Sequence, residues 1–434
     1  MVPARPPARR PATRRGAVRV ATTGPLLVLA LSIASIVSTV ASPRVASAAI
    51  ERQPFLSGLA FPTNLAFAPD GRLFYTEKDS GNVRVVSATG RLAPEPFVRF
   101  TVANAGETGT LGIAIDPAFE RRPWVYVYYS DAASGRNVLV RVLEVDGTAG
   151  ERRTLRTFLP WSVGYHNGGD MLFGPDGMLY VAVGEAHDPA RAQDPADDGG
   201  KIVRLEPDGS IPADNPFGPS SAAFTIGHRN SFGLCLDPRT GDIWETENGP
   251  NVDDEVNLLR AGRNYGWPTV TGDSGGRFAD PIAIFPSPEA LTGCAVWRGD
   301  LWFGAASTGV VYRMPLDRPG AAPTEAQTFG APVIDLVVGP DEELYIATAD
   351  AIWRLVDDTP PPEPPPPTPT IAPPTTAEGP SPTREPVVMP ARDDDGIPPA
   401  VPIAAAVVLA AALAVRLRAG RALRRDLRDG EPPS

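Results

Sequence analysis

Apolar and polar residues alternate along the chain in a pattern that returns six times between residues 50 and 358. Each copy has an alternating run, a turn rich in Pro, Asp and Gly, and a second apolar run. The copies are NLAFAPDGRLFYTEKDSGNVRVV, LGIAIDPAFERRPWVYVYYSD, GGDMLFGPDGMLYVAVGEA, FGLCLDPRTGDIWETENGP, TGCAVWRGDLWFGAASTGVVYRM and IDLVVGPDEELYIATADAIWRLV. Alternation with a period of two predicts strands, and turns of this composition predict hairpins.

The spacing of the copies predicts the architecture. They begin about 40 to 65 residues apart, which is the period of propeller blades. One small antiparallel sheet cannot bury both of its faces, so neighbouring sheets must stack around an axis. The sequence therefore predicts an all-β protein in which residues 50–358 form a six-bladed β-propeller. A β-sandwich is the alternative, but it does not account for the six copies.

The N-terminal segment has the composition of an export signal. Residues 1–20 carry arginines and no acidic residue, residues 24–42 are mainly apolar, and a small-x-small motif follows. We predict a signal peptide over residues 1–48, with cleavage near Ala48 or Ala49. An uncleaved membrane anchor is the alternative, because the apolar run is long for a signal.

The C-terminal segment predicts attachment to a membrane. Residues 359–396 are rich in proline, which favours an extended, disordered stalk. Residues 397–415 are apolar and just long enough for one transmembrane helix, and residues 416–434 form a basic tail with six arginines. The positive-inside rule makes that tail cytoplasmic, so we expect a single-pass protein of the cell membrane with an extracytoplasmic propeller. A short amphipathic helix is the alternative for the apolar segment.

The net charge and the two cysteines limit which molecules and ions the protein can be expected to bind. The formal net charge of -11 argues against a nucleic-acid partner bound through a large basic surface. Cys235 and Cys294 are too far apart in sequence to form a metal-binding pair. They could form a disulfide in an exported protein, but their spacing leaves this open.

Three glycine-marked segments near the third and fourth copies carry the candidate chemistry. YHNGGD contains His166, one of only three histidines in the chain. FTIGHRNSFGL contains Arg229 and Asn230, and ETENGPNVDDEVNLLRAGRNYGWPTVTG contains Gly249 and Pro250. Each segment adjoins a predicted strand, so each can approach the propeller axis from one face.

The same residues also have ordinary structural interpretations. His166 could be a turn residue, Arg229 could pair with one of 51 acidic residues, and the Gly-Pro pair could be a simple turn. We expect the acidic run 253–255 to be a helix start or a solvated loop, without a role in metal binding. We expect His187, in GEAHDPARAQD, to be a surface-loop residue.

Together these segments and NAGETGTLGIAIDPAF resemble the soluble quinoprotein glucose/sorbosone dehydrogenases, across residues 50–358. The resemblance implies a six-bladed propeller that uses pyrroloquinoline quinone (PQQ) and calcium, a sugar substrate and an external electron acceptor. It implies that His166 is the general base for a sugar hydroxyl and that Arg229 polarises the quinone. It also implies that Asn230 and Glu107 contact the cofactor.

The chemistry of the residue types agrees with these roles. A neutral imidazole is suited to removing a hydroxyl proton near neutral pH. A permanent cation such as Arg229 stabilises negative charge that develops on a quinone. The resemblance implies that the main-chain carbonyls of Gly249 and Pro250 bind calcium, which prefers hard oxygen ligands.

Two segments depart from the family pattern. In well-known members, a lysine in the fifth-blade loop and arginines before the sixth blade hold the carboxylates of PQQ, whereas here the stretches read GAASTGVV and APVIDL. Each missing charge-assisted hydrogen bond is worth about 1.5–3 kcal/mol, so weaker cofactor binding is expected. The alternatives are a non-catalytic cell-surface propeller that acts as a binding module and, third, a metal-dependent propeller lactonase.

Overall fold

The computed structural model describes residues 50–161, 164–356 and 386–389. Their regular structure is strand, apart from one short 3₁₀ helix at Pro189–Gln193. The strands are β1 (Glu51–Ser57), β2 (Pro62–Phe67), β3 (Leu73–Glu77), β4 (Asn82–Val86), β5 (Val98–Arg99), β6 (Thr110–Ile115), β7 (Trp124–Asp131), β8 (Arg136–Val145), β9 (Thr148–Pro160), β10 (Met171–Phe173), β11 (Leu179–Val183), β12 (Lys201–Leu205), β13 (Ala223–Ile226), β14 (Ser231–Leu236), β15 (Ile243–Glu247), β16 (Asp254–Leu258), β17 (Ala283–Phe285), β18 (Leu291–Trp297), β19 (Asp300–Ala305), β20 (Val310–Pro315), β21 (Thr324–Thr328), β22 (Val333–Val338), β23 (Leu344–Thr348), β24 (Ala351–Val356) and β25 (Val387–Val388).

The strands form six antiparallel sheets, which confirms the six-bladed propeller. Blades 1 to 5 consist of β2–β5, β6–β9, β10–β13, β14–β17 and β18–β21, and blade 6 consists of β22–β24 with β1. β1 pairs with β24 from Glu51↔Val356 to Ser57↔Ala351. The N-terminal strand therefore completes the last blade and closes the ring, a pairing that the repeat pattern did not predict.

Each interface between neighbouring blades has its own apolar core. Between blades 1 and 2, for example, Phe74 and Val127 are fully buried in one cluster. The period-two alternation that predicts each strand places one set of side chains in each of the two flanking interfaces. Burial against both neighbours is what stabilises a ring of small sheets.

The innermost strands of five blades carry a bulge near their N-terminal ends. The register shift against the second strand occurs in β2, β6, β14, β18 and β22. A bulge places two residues opposite one and re-aims the side chains beside it. Residues at these bulges, among them Leu111, Phe232, Thr292 and Ile334, line a cavity on the propeller axis.

Three buried polar residues that line this cavity join five innermost strands. Asn64 donates to Asp170 (3.0 Å) and to Asp335 (3.1 Å) and accepts the N–H of Ile113 (2.8 Å). The two carboxylates accept the N–H groups of Leu65, Met171 and Leu234, all at 2.7–2.8 Å. We call Asn64, Asp170 and Asp335 the axial polar cluster.

The structure resolves the question of the two cysteines. Cys235 of β14 and Cys294 of β18 form a disulfide between the innermost strands of blades 4 and 5. The bond closes a sequence separation of 59 residues. In the chain-entropy model a loop of this size corresponds to about 4 kcal/mol of stabilisation.

The prediction of a disordered stalk over residues 359–396 is wrong for residues 387–388. Residues 387–388 form β25, a fifth strand that pairs in parallel with β17 at the outer edge of blade 4. Val387 donates to Ile282 (3.0 Å), Met389 donates to Ile284 (2.8 Å), and the Met389 side chain packs on the apolar core between blades 4 and 5.

The remaining predicted terminal segments lie outside the described residues. These are the signal peptide (1–48), the rest of the stalk, the transmembrane helix (397–415) and the basic tail (416–434). In the part of the chain that the structure describes, no helix has the length and apolar character needed to cross a bilayer.

Candidate functional site

The candidate residues meet on the propeller face where the innermost strands begin and the second strands end. Here the axial cavity of about 40 Å³ is lined by apolar residues, several of them at the bulges, and by eight polar side chains. The polar lining includes Lys78, Glu107 and Asn248 together with the axial polar cluster. A cavity that combines apolar lining with convergent polar groups is the usual form of a small-molecule site.

His166 lies in the loop before β10 and is held from two sides. Its main-chain N–H donates to Glu107 (2.8 Å), and its Nδ1 lies 2.9 Å from Oε1 of Glu185. An ionised carboxylate only accepts, so this contact puts the ring proton on Nδ1 and leaves the Nε2 lone pair to act as a base. The imidazole is buried, with 6 % of the residue exposed.

Glycines bring the His166 loop close to the strands. A Cβ on Gly168 would lie 2.6 Å from the carbonyl oxygen of Ala182, and one on Gly169 would lie 2.7 Å from Cβ of Leu111. Both glycines have positive φ, at +63° and +121°. The glycine pair is therefore required by close packing on blades 2 and 3, and Gly168 also lines the axial cavity.

Glu107 joins two of the candidate residues. Its Oε2 accepts both the N–H of His166 (2.8 Å) and the side-chain amide of Asn230 (3.3 Å). Glu107 and Asn230 are both buried, and the carbonyl oxygen of the Asn230 side chain has no partner within the described residues. That buried acceptor is free to accept a hydrogen bond from a bound molecule.

Arg229 lies beside the segment that contains Gly249, and both residues line one small cavity. Its guanidinium donates to the carbonyl of Asn248 (2.8 Å) and lies 5.5 Å from the centre of the Trp267 ring. Burial lowers the pKa of Arg229 against the opposing effect of nearby carboxylates, foremost Glu185 and Glu107. An arginine stays charged even so, and it supplies a fixed positive charge to this face.

The predicted calcium ligands lie directly after β15. Gly249 and Pro250 are half-buried, and Gly249 borders a cavity of about 10 Å³ that Glu247 and Glu255 also line. Burial and then Glu247 raise the pKa of Glu255 well above its usual value. Buried oxygen donors that repel one another fit a hard divalent cation, which would relieve the repulsion.

The expectation of a helix start or solvated loop over residues 253–255 was wrong for Asp254 and Glu255. Asp254 and Glu255 are buried in β16, and Asp254 accepts the N–H groups of Gly249, Glu289 and Ala290 at 2.8–2.9 Å. Burial raises the pKa of Asp254 to about 6. Asp254 and Glu255 therefore form part of the wall of the site and belong to neither a helix start nor a solvated loop.

A second histidine is fully buried beside this wall. Nδ1 of His228 lies 3.0 Å from carboxylate oxygens of both Glu245 and Glu247. Burial alone would lower the pKa of His228, but the two carboxylates outweigh it and raise the pKa to about 10. The trio forms a buried ion cluster, and Glu247 also accepts the main-chain N–H of Arg229.

The positive charge around the cavity is placed differently from what the resemblance implies. Blades 5 and 6 present Ala306 and Ile334 to the cavity, and Glu289 of blade 5 is buried. Tyr312 and Thr308 donate to Oε2 of Glu289 at 2.7 and 3.0 Å. The lysine that lines the cavity is Lys78 of blade 1, whose Nζ lies 3.1 Å from Asp79.

Sequence reasoning missed several residues of the site, notably Glu185, His187, Lys78 and Glu289. His187 is exposed as predicted, but its ring stacks on His166 with centroids 4.0 Å apart. A usable signal existed, because an acid ends or follows the apolar second strand in TEK, VGEA and TEN. Glu107, Glu185 and Glu247 come from three different blades.

Comparison with known proteins gives consistent relatives. The aldose sugar dehydrogenase YliI of Escherichia coli (strain K12) is 30% identical over 339 residues, which cover 70% of this chain and 91% of the relative. The quinoprotein glucose dehydrogenase B of Acinetobacter calcoaceticus is 32% identical over 266 residues, which cover 53% of this chain and 55% of the relative. The PQQ-bound structure of aldose sugar dehydrogenase from Streptomyces coelicolor has a TM-score of 0.65 and 32% identity, over 71% of this chain and 98% of that chain.

A family model covers most of the propeller. The Glucose / Sorbosone dehydrogenase model matches residues 59–356, which contain every strand of the ring except β1. All the candidate site residues fall within this range. The chain therefore belongs to the Glucose / Sorbosone dehydrogenase family.

Proposed function

We propose that this protein oxidises an aldose to the corresponding lactone with PQQ and calcium, and passes the electrons to an external acceptor. The single observation that carries the proposal is the His166 imidazole, which Glu185 holds through Nδ1, in a loop whose Gly168 lines the axial cavity. A base fixed in this way, beside a buried arginine, suits removal of a hydroxyl proton. The PQQ-bound relative supports the choice of cofactor.

Different residues of the chain have different roles in the proposed reaction. His166 takes the proton of the sugar hydroxyl at Nε2, and Glu185 stabilises the imidazolium that forms. PQQ, when bound, supplies a quinone that accepts the hydride. Arg229 provides the positive charge that such an acceptor requires, and the Trp267 ring beneath the guanidinium limits its movement.

Other residues hold the cofactor and the ion. Asn230 offers its unpartnered side-chain carbonyl, and Glu107 fixes both Asn230 and His166. The carbonyls of Gly249 and Pro250 offer calcium hard oxygen ligands, and the carboxylates of Glu247 and Glu255 line the cavity beside Gly249. The ion would thus lie on the same face as Arg229.

The proposal is tested by adding PQQ and calcium to the purified protein and following dye-linked oxidation of a panel of aldoses. We expect turnover that depends on both additions and that a calcium chelator abolishes. A folded protein that binds no PQQ and oxidises no aldose would favour the non-catalytic binding module. Hydrolysis of a lactone with a metal ion, without sugar oxidation, would favour the lactonase.

The charges around the cavity predict how cofactor affinity responds to mutation. We expect Lys78→Met to weaken PQQ binding by about 10- to 100-fold, because a charge-assisted hydrogen bond to a cofactor carboxylate is lost. Glu289→Gln should tighten binding by several-fold, since a buried negative charge is removed while Thr308 and Tyr312 keep an acceptor. Isothermal titration calorimetry measures both effects.

The matched control is Arg318→Met, which removes the same charge from an exposed ion pair far from the cavity in sequence. It should leave the dissociation constant unchanged. If Lys78→Met and Arg318→Met bind PQQ equally well, other groups hold the carboxylates and the assignment of Lys78 is wrong.

We also propose that the propeller is exported and tethered to the membrane by residues 397–415. The charge asymmetry of both termini supports this, and the Cys235–Cys294 disulfide is typical of oxidising compartments. Protease added to intact cells should cut within the predicted stalk and release a soluble propeller. A propeller that stays intact until the cells are lysed would contradict this orientation.

A further inference from the structure

Two of the three histidines of the chain lie face to face at the mouth of the site. The rings of His166 and His187 are 4.0 Å apart between centroids and only 15° from parallel. His187 is exposed on its outer side, whereas His166 is buried beneath it. The outer face of the candidate base is therefore covered by a second titratable ring.

The chain holds His187 in this place at a cost in backbone energy. Ala186 and His187 both have positive φ, at 54° and 60°, and residues other than glycine rarely adopt such angles. Ala186 donates to the carbonyl of His166 (3.1 Å), and a Cβ on Gly184 would lie 2.2 Å from that oxygen. Strain of this kind persists only where surrounding contacts determine the conformation.

The loop that carries His187 is also fastened further along. Lys201 is fully buried, and its Nζ donates to the carbonyls of Arg191 (2.7 Å), Ala192 (3.1 Å) and Gly199 (2.6 Å). Burial lowers the pKa of Lys201 to about 8, so the ammonium is still mostly charged at neutral pH. This bridge closes the segment between β11 and β12, so the stacked histidine lies on an anchored loop.

On this geometry we propose that His187 is a positioning residue whose ring stabilises the imidazolium of His166 when neutral and opposes it when protonated. The inference rests on the proposed function, because it assigns His166 the role of base. A neutral aromatic face attracts an adjacent cation. Two stacked imidazolium rings repel each other, so protonation of His187 would disfavour proton uptake by His166.

The groups around the pair set the direction of this effect. Burial, and then the charges of His166 and Arg229, lower the pKa of His187, while Glu185 opposes them. The other groups that face the pair are Tyr165, with ring centroids 6.0 Å from His187, Glu107 at the main chain of His166, and Asp188, which pairs with Arg191 at 3.0 Å. His187 is therefore neutral at pH 7, and it gains its proton only in acid.

The coupling can be measured without cofactor or activity. In full-length protein labelled with ¹⁵N at histidine, NMR should show His187 titrating at a lower pH than an exposed histidine. In His166→Gln the midpoint of His187 should move up, because a neighbouring positive charge is removed. His228 is an internal control, because it is buried and stacks on Tyr265 instead of on the pair, so its signal should be the same in the parent and in His166→Gln.

Kinetics of the PQQ-loaded protein give the second measurement. We expect His187→Ala to lower kcat/KM by about 3- to 10-fold, the order expected for loss of a cation–ring contact. His187→Phe keeps a ring and should recover most of that loss. At acid pH, however, kcat/KM of His187→Phe should fall with the slope of one proton. The fall in the parent should be steeper. A merely structural role would not change the slope.

The outcomes separate this inference from the proposed function. If the midpoint of His187 is the same with and without His166, the rings are uncoupled and the inference fails whatever the activity. If the midpoint shifts but the loaded protein oxidises no aldose, the stacked pair stands and the dehydrogenase assignment fails. Equal acid limbs in parent and His187→Phe, with full activity, would also overturn the inference.

Discussion

His166→Gln should lower the turnover of sugar oxidation by about 10²- to 10⁴-fold, the usual contribution of a positioned general base. Glutamine can still donate to Glu185, which is 1 % exposed and would otherwise lose its partner in the core. The main-chain N–H of residue 166 keeps its bond to Glu107. The fold and the affinity for PQQ are therefore expected to change little, and steady-state kinetics with calorimetry on the same sample can measure both.

His228→Gln is the informative comparison for this variant. It removes a histidine of the same face that we assign to structure, so it should lower the melting temperature more than it lowers the turnover of the remaining folded protein. His166→Gln should do the reverse. If His166→Gln oxidises sugars at the parent rate, His166 is structural and the assigned mechanism is wrong.

Asp170→Ala should destabilise the propeller by about 3–5 kcal/mol, because the N–H groups of Leu234 and Met171 lose a buried acceptor. Asn64 would also lose one of its two carboxylate partners. Since the axial polar cluster joins innermost strands of five blades, the loss is not confined to blade 3. Chemical denaturation at pH 6 measures the difference in the free energy of unfolding.

The pH dependence distinguishes this carboxyl from an ordinary buried acceptor. Burial raises the pKa of Asp170 from 3.8 to about 6, and burial followed by the charge of Asp170 raises the pKa of Asp335. A folded-state pKa above the unfolded value gives stability that is full below about pH 4 and is lost as pH rises through about 6. Asp170→Asn should lack this loss, so the stability gap between parent and Asp170→Asn should narrow from pH 4 to pH 7. A constant gap would contradict the raised pKa.

The fold could be predicted where its signal is local. Each blade needs an alternating strand and a tight turn within about 20 to 25 residues, and the six copies display both. β1 and β25 were missed because their partners are distant: β1 pairs with β24 at the other end of the ring, and β25 pairs with β17. Nothing in a two-residue or seven-residue strand identifies such a partner.

The site shows the same division between local and distant information. His166, Arg229 and Asn230 stand in glycine-marked motifs, and the structure brings them together with Glu107, which is 59 residues from His166 and 123 from Asn230. The acids 253–255 look solvated in sequence because a run of charges usually is. Asp254 is buried instead, because three N–H groups from two blades converge on its carboxylate.

We propose that His166 takes the hydroxyl proton of an aldose as hydride leaves the carbon, and single-turnover mixing can test this. Full-length protein loaded with PQQ and calcium is mixed with an aldose without oxygen or dye, and the absorbance of the quinone is followed. We predict complete reduction in one fast phase for the parent, and in His166→Gln the same phase slowed by about 10²- to 10⁴-fold at unchanged PQQ occupancy. An unchanged quinone spectrum in the fully loaded parent, or equal rates in the parent and the variant, would contradict the account.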